Sequence, residues 1–257
     1  MPAYVITGTR TGIGLEYVRQ LAQSHNNTIF ALVRSLTGGD LAALKSIQAS
    51  PSSHPDSKVY ILECDVSSPA SIAALPQLIL STVTTTDTDT ANTPLKIDVL
   101  LNNAATLHSR PETALTLTAP TLLSHMHTNV LGPALVFQSL FTSGLLSPTA
   151  RVVNITSGIG SLRMVSDGRI NAEITPYSIS KTALNMFTVH QARQLRAVGS
   201  DVVVVAVDPG HVKTEMGGPA AVVEVEDSAR GVLRVVEGLK EGDSGKFLLY
   251  NGEELEW

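Results

Sequence analysis

The sequence predicts an α/β fold built on a parallel sheet, and three observations carry that reading. Short apolar runs alternate with stretches of helical periodicity from one end of the chain to the other. The first run leads directly into Thr7-Gly8-Thr9-Arg10-Thr11-Gly12-Ile13-Gly14 and then an amphipathic stretch, the strand, turn and helix of half a nucleotide-binding βαβ unit. Residues 202–207 form an unbroken apolar run, the pattern of a parallel strand buried on both faces. No linker or internal repeat interrupts the alternation, so one domain is expected over residues 1–257.

Composition narrows the function classes. With a net charge of −5 and no basic stripe, nucleic acid is not expected as the main partner. Hydrophobic residues make up 43% of the chain, enough for a sizeable core. No apolar run reaches the roughly 18 residues that a membrane span needs, so no membrane partner is expected. A single cysteine, Cys64, rules out an internal disulfide and suits a reducing compartment. The chain begins on a strand pattern, without a charged segment followed by an apolar one. The expected location is therefore the cytoplasm.

Residues 4–6 read as the first strand, and the helix after the glycine turn is expected to run to about Ser24. Gly8, Gly12 and Gly14 permit a sharp turn and let backbone N–H groups approach a pyrophosphate at the helix N-terminus. The second strand is 28–33. Arg34 stands at its end, where dinucleotide folds commonly place an acid on the adenosine ribose. A guanidinium there, helped by Arg10, suits a 2′-phosphate better than a neutral diol, so NADP(H) is the expected cofactor. A helix is predicted over 38–48 and a Ser/Pro-rich loop over 49–57. The third strand, 59–62, leads into Asp65 and Val66. Asp65 either caps the next helix or hydrogen-bonds an adenine amino group, with Ser67 and Ser68 as alternative caps.

Residues 70–83 are helical in pattern, and the polar, low-complexity stretch 84–94 is predicted as a surface loop without chemistry. The fourth strand, 97–101, ends in Asn102-Asn103-Ala104-Ala105, amides and small residues that mark a turn. One long helical stretch, bent near Gly132-Pro133, is predicted over 120–146. It carries Asn129, a poor helix former. His125 and His127 lie two apart, on different helix faces, so no metal site is expected. The fifth strand, 151–155, puts Ser157 just past its carboxyl end, where open α/β sheets bind ligands. No Gly-x-Ser-x-Gly elbow surrounds it, which disfavours a hydrolase nucleophile.

Thr175 and Pro176 read as the cap and first turn of a helix that continues through 195. Tyr177 and Lys181, four apart, then share one face. An ammonium beside a phenol lowers the phenol's pKa toward the range of a useful acid or base. The sixth strand, 202–207, ends in Asp208-Pro209-Gly210. Residues 211–227 are predicted as a lid over a cleft, 228–239 as the last helix and 246–250 as the seventh strand.

Thr7-Gly8-x-x-x-Gly12-Ile13-Gly14, Asp65-Val66, Asn102-Asn103-Ala104, Asn129, Ser157, Tyr177-x-x-x-Lys181 and Pro209-Gly210, in this order, resemble the short-chain dehydrogenase/reductase family over nearly the whole chain. Ala105 stands where that family usually has Gly. The long interval from Ser157 to Tyr177 and the ending from Gly245 to Trp257 are similar to the subgroup of C-factor and sniffer-type carbonyl reductases.

The resemblance implies a Rossmann-like, doubly wound parallel sheet of seven strands with helices on both faces. It implies an NADP-dependent oxidoreductase acting on a small carbonyl or alcohol substrate, and a homodimer or homotetramer built through the long helices. Tyr177 would be the general acid, and Lys181 would lower its pKa and hold the nicotinamide ribose. Ser157 would hydrogen-bond the carbonyl oxygen, and Asn129 would hold a water that passes protons to Lys181. Val212 and Thr214, after Pro209-Gly210, would meet the nicotinamide carboxamide. Two other readings stay open: a dinucleotide-binding regulator without turnover, and a dehydratase or epimerase on the same fold.

Overall fold

The apolar runs pair into one seven-stranded sheet, in the order β3-β2-β1-β4-β5-β6-β7, with every pairing parallel. In chain order the strands are β1 (Ala3–Thr7), β2 (Thr28–Val33), β3 (Lys58–Glu63), β4 (Ile97–Asn102), β5 (Leu146–Ile155), β6 (Val203–Asp208) and β7 (Phe247–Leu249). The connecting helices are α1 (Gly12–Gln23), α2 (Ala42–Ala49), α3 (Pro69–Thr86), α4 (Ala119–Met126), α5 (Gly132–Thr142), α6 (Leu162–Ser166), α7 (Thr175–Ala197) and α8 (Val225–Gly238). This computed structural model describes residues 1–24, 26–49, 54, 56–86, 94–107, 111–170 and 173–257.

Parallel strands need crossovers, and the crossovers place helices on both faces. Alternation along β1 shows the result. Tyr4 and Ile6 enter one core with Tyr17, Leu44 and Val232, on the side of α1, α2 and α8. Ala3 and Val5 enter the other with Leu75, Val136 and Leu195, on the side of α3, α5 and α7. The sheet order reverses between β1 and β4, so the connections at their carboxyl ends diverge and leave a crevice.

Several local expectations change. The predicted helix over 120–146 divides: α4 stops at Met126, a π-helical turn occupies His127–Leu131, and α5 stops at Thr142. The irregularity carries Asn129 and runs up to Gly132-Pro133, where Pro133 has no N–H to offer Asn129 O. Gly144, at φ +68°, then turns the chain into β5, which begins at Leu146 rather than at 151. α2 begins at Ala42 rather than at 38. The Ser35 hydroxyl accepts the N–H groups of Thr37 (3.2 Å) and Gly38 (3.0 Å), and Asp40 accepts that of Ala42 (2.7 Å), which holds 35–40 as a turn. Thr175 is the first residue of α7 and not its cap, and its N–H goes to Glu112 O at 2.9 Å.

α3 continues to Thr86, into the predicted loop 84–94, and residues 87–93 lie outside the described residues. Pro76 sits inside α3 and cannot donate to Ile72 O, which accepts the Ser139 hydroxyl of α5 at 3.1 Å instead. Among the described residues no helix is long and apolar enough to cross a membrane.

Candidate active site

The crevice is built first by small residues. Gly8 has φ +71°, and a Cβ there would lie 2.8 Å from Ala104 Cα; a Cβ on Gly14 would run into Gly8 O. Asn103 Nδ2 donates to Thr7 O (3.0 Å) and Gly8 O (3.2 Å). Thr7 Oγ1 accepts the N–H groups of Asn103 and Ala104, both at 2.9 Å. Asn103, read from sequence as part of a turn and of the Asn102-Asn103-Ala104 motif without a role of its own, thus splices the two diverging strands. α1 starts without a side-chain cap from Thr11 and without an acid in its first turn. Its N-terminal N–H groups therefore offer an anion a place on the positive end of the helix dipole.

Arg10 and Arg34 are exposed at the rim of this end. The Arg10 guanidinium lies over Gly39, in the turn that follows β2 and Arg34. Asp65 Oδ1 accepts both the N–H (2.9 Å) and the O–H (2.7 Å) of Ser67, whereas Ser68 Oγ accepts Ser71 N–H (3.3 Å) in the first turn of α3. Asp65 is therefore spared capping. The Cys64 thiol also lines the cavity, and burial pushes its pKa up to about 11, so it is a thiol rather than a thiolate at neutral pH.

Tyr177 and Lys181 project from adjacent turns of α7 and both are buried. Lys181 Nζ lies over the Tyr177 ring, 5.5 Å from its centroid, and donates to Ile155 O at 2.8 Å. Burial lowers the lysine's pKa to about 7, against the opposing pull of Asp208. Burial thus works against the charge on Lys181 near neutrality, and its effect on Tyr177 depends on what enters the cavity. Asp208 accepts Gly158 N–H (2.8 Å) on one oxygen and Gly210 N–H (2.9 Å) on the other, joining the loops after β5 and β6. Burial raises its pKa, and these backbone bonds and Lys181 oppose the rise. Sequence reading passed over this aspartate; its place directly before Pro-Gly at a strand end was the available signal.

Ser157 is half-buried and its hydroxyl accepts Ile159 N–H at 3.4 Å, capping a 3-10 turn over Gly158–Gly160. Asn129 uses both amide hydrogens, on Thr106 O (3.1 Å) and Ser180 Oγ (2.9 Å), and its oxygen accepts Thr106 N–H (2.8 Å). It therefore ties the loop after β4 to α7. Asn102 turns away from the crevice, donating to Asn154 Oδ1 at 2.9 Å. His125 packs its ring edge-on to Tyr177 at 6.2 Å, with Nδ1 at 2.7 Å from Thr121 O. Among the described residues no cluster of three or more His, Cys, Asp or Glu could hold a metal.

Together these elements enclose a cavity of about 1370 Å³, larger than the roughly 300–1,000 Å³ of a pocket for one drug-sized ligand. Of the residues singled out from sequence, Gly8, Arg10, Gly12, Ile13, Gly14, Arg34, Asp65, Val66, Ala104, Tyr177, Lys181, Pro209 and Thr214 line it. Asn102, Asn129, Ser157, Gly210 and Val212 are not among its lining residues. Gly210 (φ +83°) approaches Tyr250, and Val212 is buried and bridged to Val223. Thr106, Leu107 and Thr128 line the cavity without a sequence signal, as do Lys213, Met216 and Pro219 of the predicted lid. That segment is folded on itself by Lys213 N–H to Val223 O and Val222 N–H to His211 O. A separate cleft of about 580 Å³ between α8 and β7 holds none of these residues, and its Arg230 and Lys246 are paired with Asp227 and Asp243.

A family profile described as short chain dehydrogenase matches residues 2–222. C-signal of Myxococcus xanthus is 40% identical over 129 residues, 50% of this chain and 74% of that protein. Norsolorinic acid ketoreductase of Aspergillus parasiticus is 27% identical over 267 residues, 99% of this chain and 90% of that protein. The NADPH-bound carbonyl reductase from chicken fatty liver superposes with a TM-score of 0.84 at 29% identity, covering 100% of this chain and 99% of that one. With the motifs in order along a sheet of this topology, and a profile spanning most of its length, the chain belongs to the short chain dehydrogenase family.

Proposed function

We propose that the chain is an NADP(H)-dependent carbonyl reductase that uses Tyr177 as general acid on a ketone or aldehyde. One observation carries this reading: a single cavity joins an uncapped, glycine-lined helix N-terminus, with Arg10 and Arg34 at its rim, to the buried pair Tyr177 and Lys181. The residues fit the cofactor. Gly8 and Gly14 leave no room for a Cβ, Gly12 takes φ +59°, and no acid stands in the first turn of α1, so the backbone from Gly8 through Ile13 to Gly14 is open to a pyrophosphate. The two guanidiniums suit a 2′-phosphate. Asp65, Val66 and Ala104 would serve the adenosine half, with Pro209 and Thr214 at the nicotinamide, supported by Gly210 and Val212, and Tyr177 and Lys181 at its ribose. The NADPH described in the chicken carbonyl reductase agrees with this choice.

When bound, NADPH supplies the hydride. The chain's own residues handle the oxygen. Tyr177 holds a proton at its hydroxyl and gives it to the carbonyl oxygen as negative charge develops there. A protonated Lys181 favours the phenolate left behind. The Ser157 hydroxyl donates to the same oxygen. Asn129, through Thr106 and Ser180, keeps the first turns of α7 in place, and a water on its remaining lone pair or backbone would pass protons toward Lys181. A single domain located in the cytoplasm and assembled as a dimer or tetramer belongs to the same reading.

The test is NADPH oxidation, with NADH in parallel, against ketones, aldehydes, quinones and polycyclic aromatic ketones. The last class is suggested by the ketoreductase relative. At least one carbonyl should be reduced, and Tyr177→Phe should lower turnover by about 10²–10⁴-fold while NADPH still binds. Native-rate turnover by Tyr177→Phe would overturn the assignment of the acid. Loss of water or inversion at carbon without net NADPH oxidation would replace reduction by dehydration or epimerisation. Binding without any turnover would favour the regulator.

A further inference from the structure

The segment after β7 returns along the open edge of the sheet. Gly252, at φ +91°, closes a turn with its N–H on Leu249 O at 2.8 Å. Leu249 N–H then meets Glu253 O at 2.7 Å, Leu255 N–H meets Phe247 O at 2.8 Å, and Leu248 bridges Glu254 in antiparallel sense. The Trp257 ring stacks on Phe247 at 5.2 Å between centroids. Phe247 is fully buried, so the stack ties the segment to the sheet.

Residues 256 and 257 reach beyond the sheet edge to the loop between β5 and α7. The buried Ser161 hydroxyl donates to Glu256 O at 2.7 Å, and Arg163 N–H donates to Trp257 O at 3.0 Å. Arg169 Nη2 donates to the Glu256 carboxylate at 2.6 Å, though both side chains are exposed and such a pair contributes little by itself. Both backbone contacts fall at the start of α6, a five-residue helix without a buried residue of its own. The preceding residues are held by the catalytic helix: Ser178 Oγ donates to Ile159 O at 2.7 Å and Thr182 Oγ1 to Gly160 O at 3.0 Å. Gly160 lies so close to Lys181 that a Cβ would stand 2.8 Å from the lysine backbone.

We infer that Glu256 and Trp257 are positioning residues for the proposed reaction: they clamp residues 157–170 between the sheet edge and α7, and so hold Ser157 and the substrate side of the cleft against Tyr177. The inference rests on the carbonyl-reductase reading. It adds a determinant about 80 residues away in sequence from the acid it serves, on an element that touches neither cofactor nor reacting atoms.

Trp257→Ala removes the stack and leaves the cavity wall intact. Amide exchange over residues 158–170 should rise roughly tenfold or more. In the same variant KM for the carbonyl substrate should rise about five- to tenfold, with NADPH affinity and the exchange of β1 and α1 unchanged. Trp257→Phe keeps an aromatic ring on Phe247 and should restore both readouts. Unchanged exchange over 158–170 in Trp257→Ala would overturn the inference, as would raised exchange with native KM and kcat. So would loosening of the whole sheet, which marks a merely structural role. If no carbonyl is reduced by the native protein, the reductase reading fails, and the exchange of 158–170 still decides whether the clamp exists.

Discussion

Replacing Lys181 should stabilise the fold that it disables. Its side chain is 1% exposed, and burial holds its pKa at about 7 against an ordinary 10.5. At about 1.4 kcal/mol per pH unit, that gap disfavours the buried ammonium by roughly 5 kcal/mol. Because the folded pKa lies below the unfolded one, the unfolded chain binds more protons between about pH 7 and 10.5, and stability rises with pH across that window. Below it the whole penalty is present. Lys181→Met keeps most of the length and removes the charge, at the cost of leaving Ile155 O without its bond from Nζ. An unsatisfied buried carbonyl costs about 1–3 kcal/mol. The variant should therefore be the more stable protein by roughly 2–4 kcal/mol near pH 6. That advantage should shrink by about 3 kcal/mol by pH 9. Urea unfolding of both proteins at several pH values, without cofactor, gives the difference directly. A difference independent of pH would mean that Lys181 is not held at a depressed pKa, and the electrostatic account of the pair would fail with it.

Three further outcomes follow from the same geometry. Gly14→Ala places a methyl against Gly8 O and Asn103 Nδ2. It should cost about 1–3 kcal/mol in thermal or urea unfolding and weaken NADPH binding at least about tenfold, whereas native behaviour would mean that the turn is not tightly packed. Arg34→Asp should reverse a preference for NADP(H) over NAD(H) of about tenfold or more, the worth of a charge-assisted bond; equal affinity of the native protein for both in direct titrations would remove the argument from Arg10 and Arg34. Asp208→Asn keeps the shape of the side chain but removes the anion that faces Lys181 and His211. Lys181 then loses the influence that raises its pKa, so the fall in turnover on the alkaline side should begin at lower pH. Lower turnover with an unmoved pH profile would reduce Asp208 to a brace between two loops.

The strands, the glycine turn, and Tyr177 and Lys181 on one helix face were legible in the sequence because each depends on spacing within a few residues. Period-2 and helical patterns are written locally, and Gly8 or Gly14 announces a close approach wherever its partner comes from. What only the tertiary structure decided is who meets whom across long separations. Asp208 finds Gly158 across 50 residues, Asn129 finds Thr106 and Ser180 across 23 and 51, and Ser161 finds Glu256 across 95. Such meetings follow from the register of a sheet whose order reverses at β1 and β4, which no local pattern records. The same holds for energies: sequence presents Lys181 as a fixed positive charge, but the depth at which α7 packs disfavours that charge.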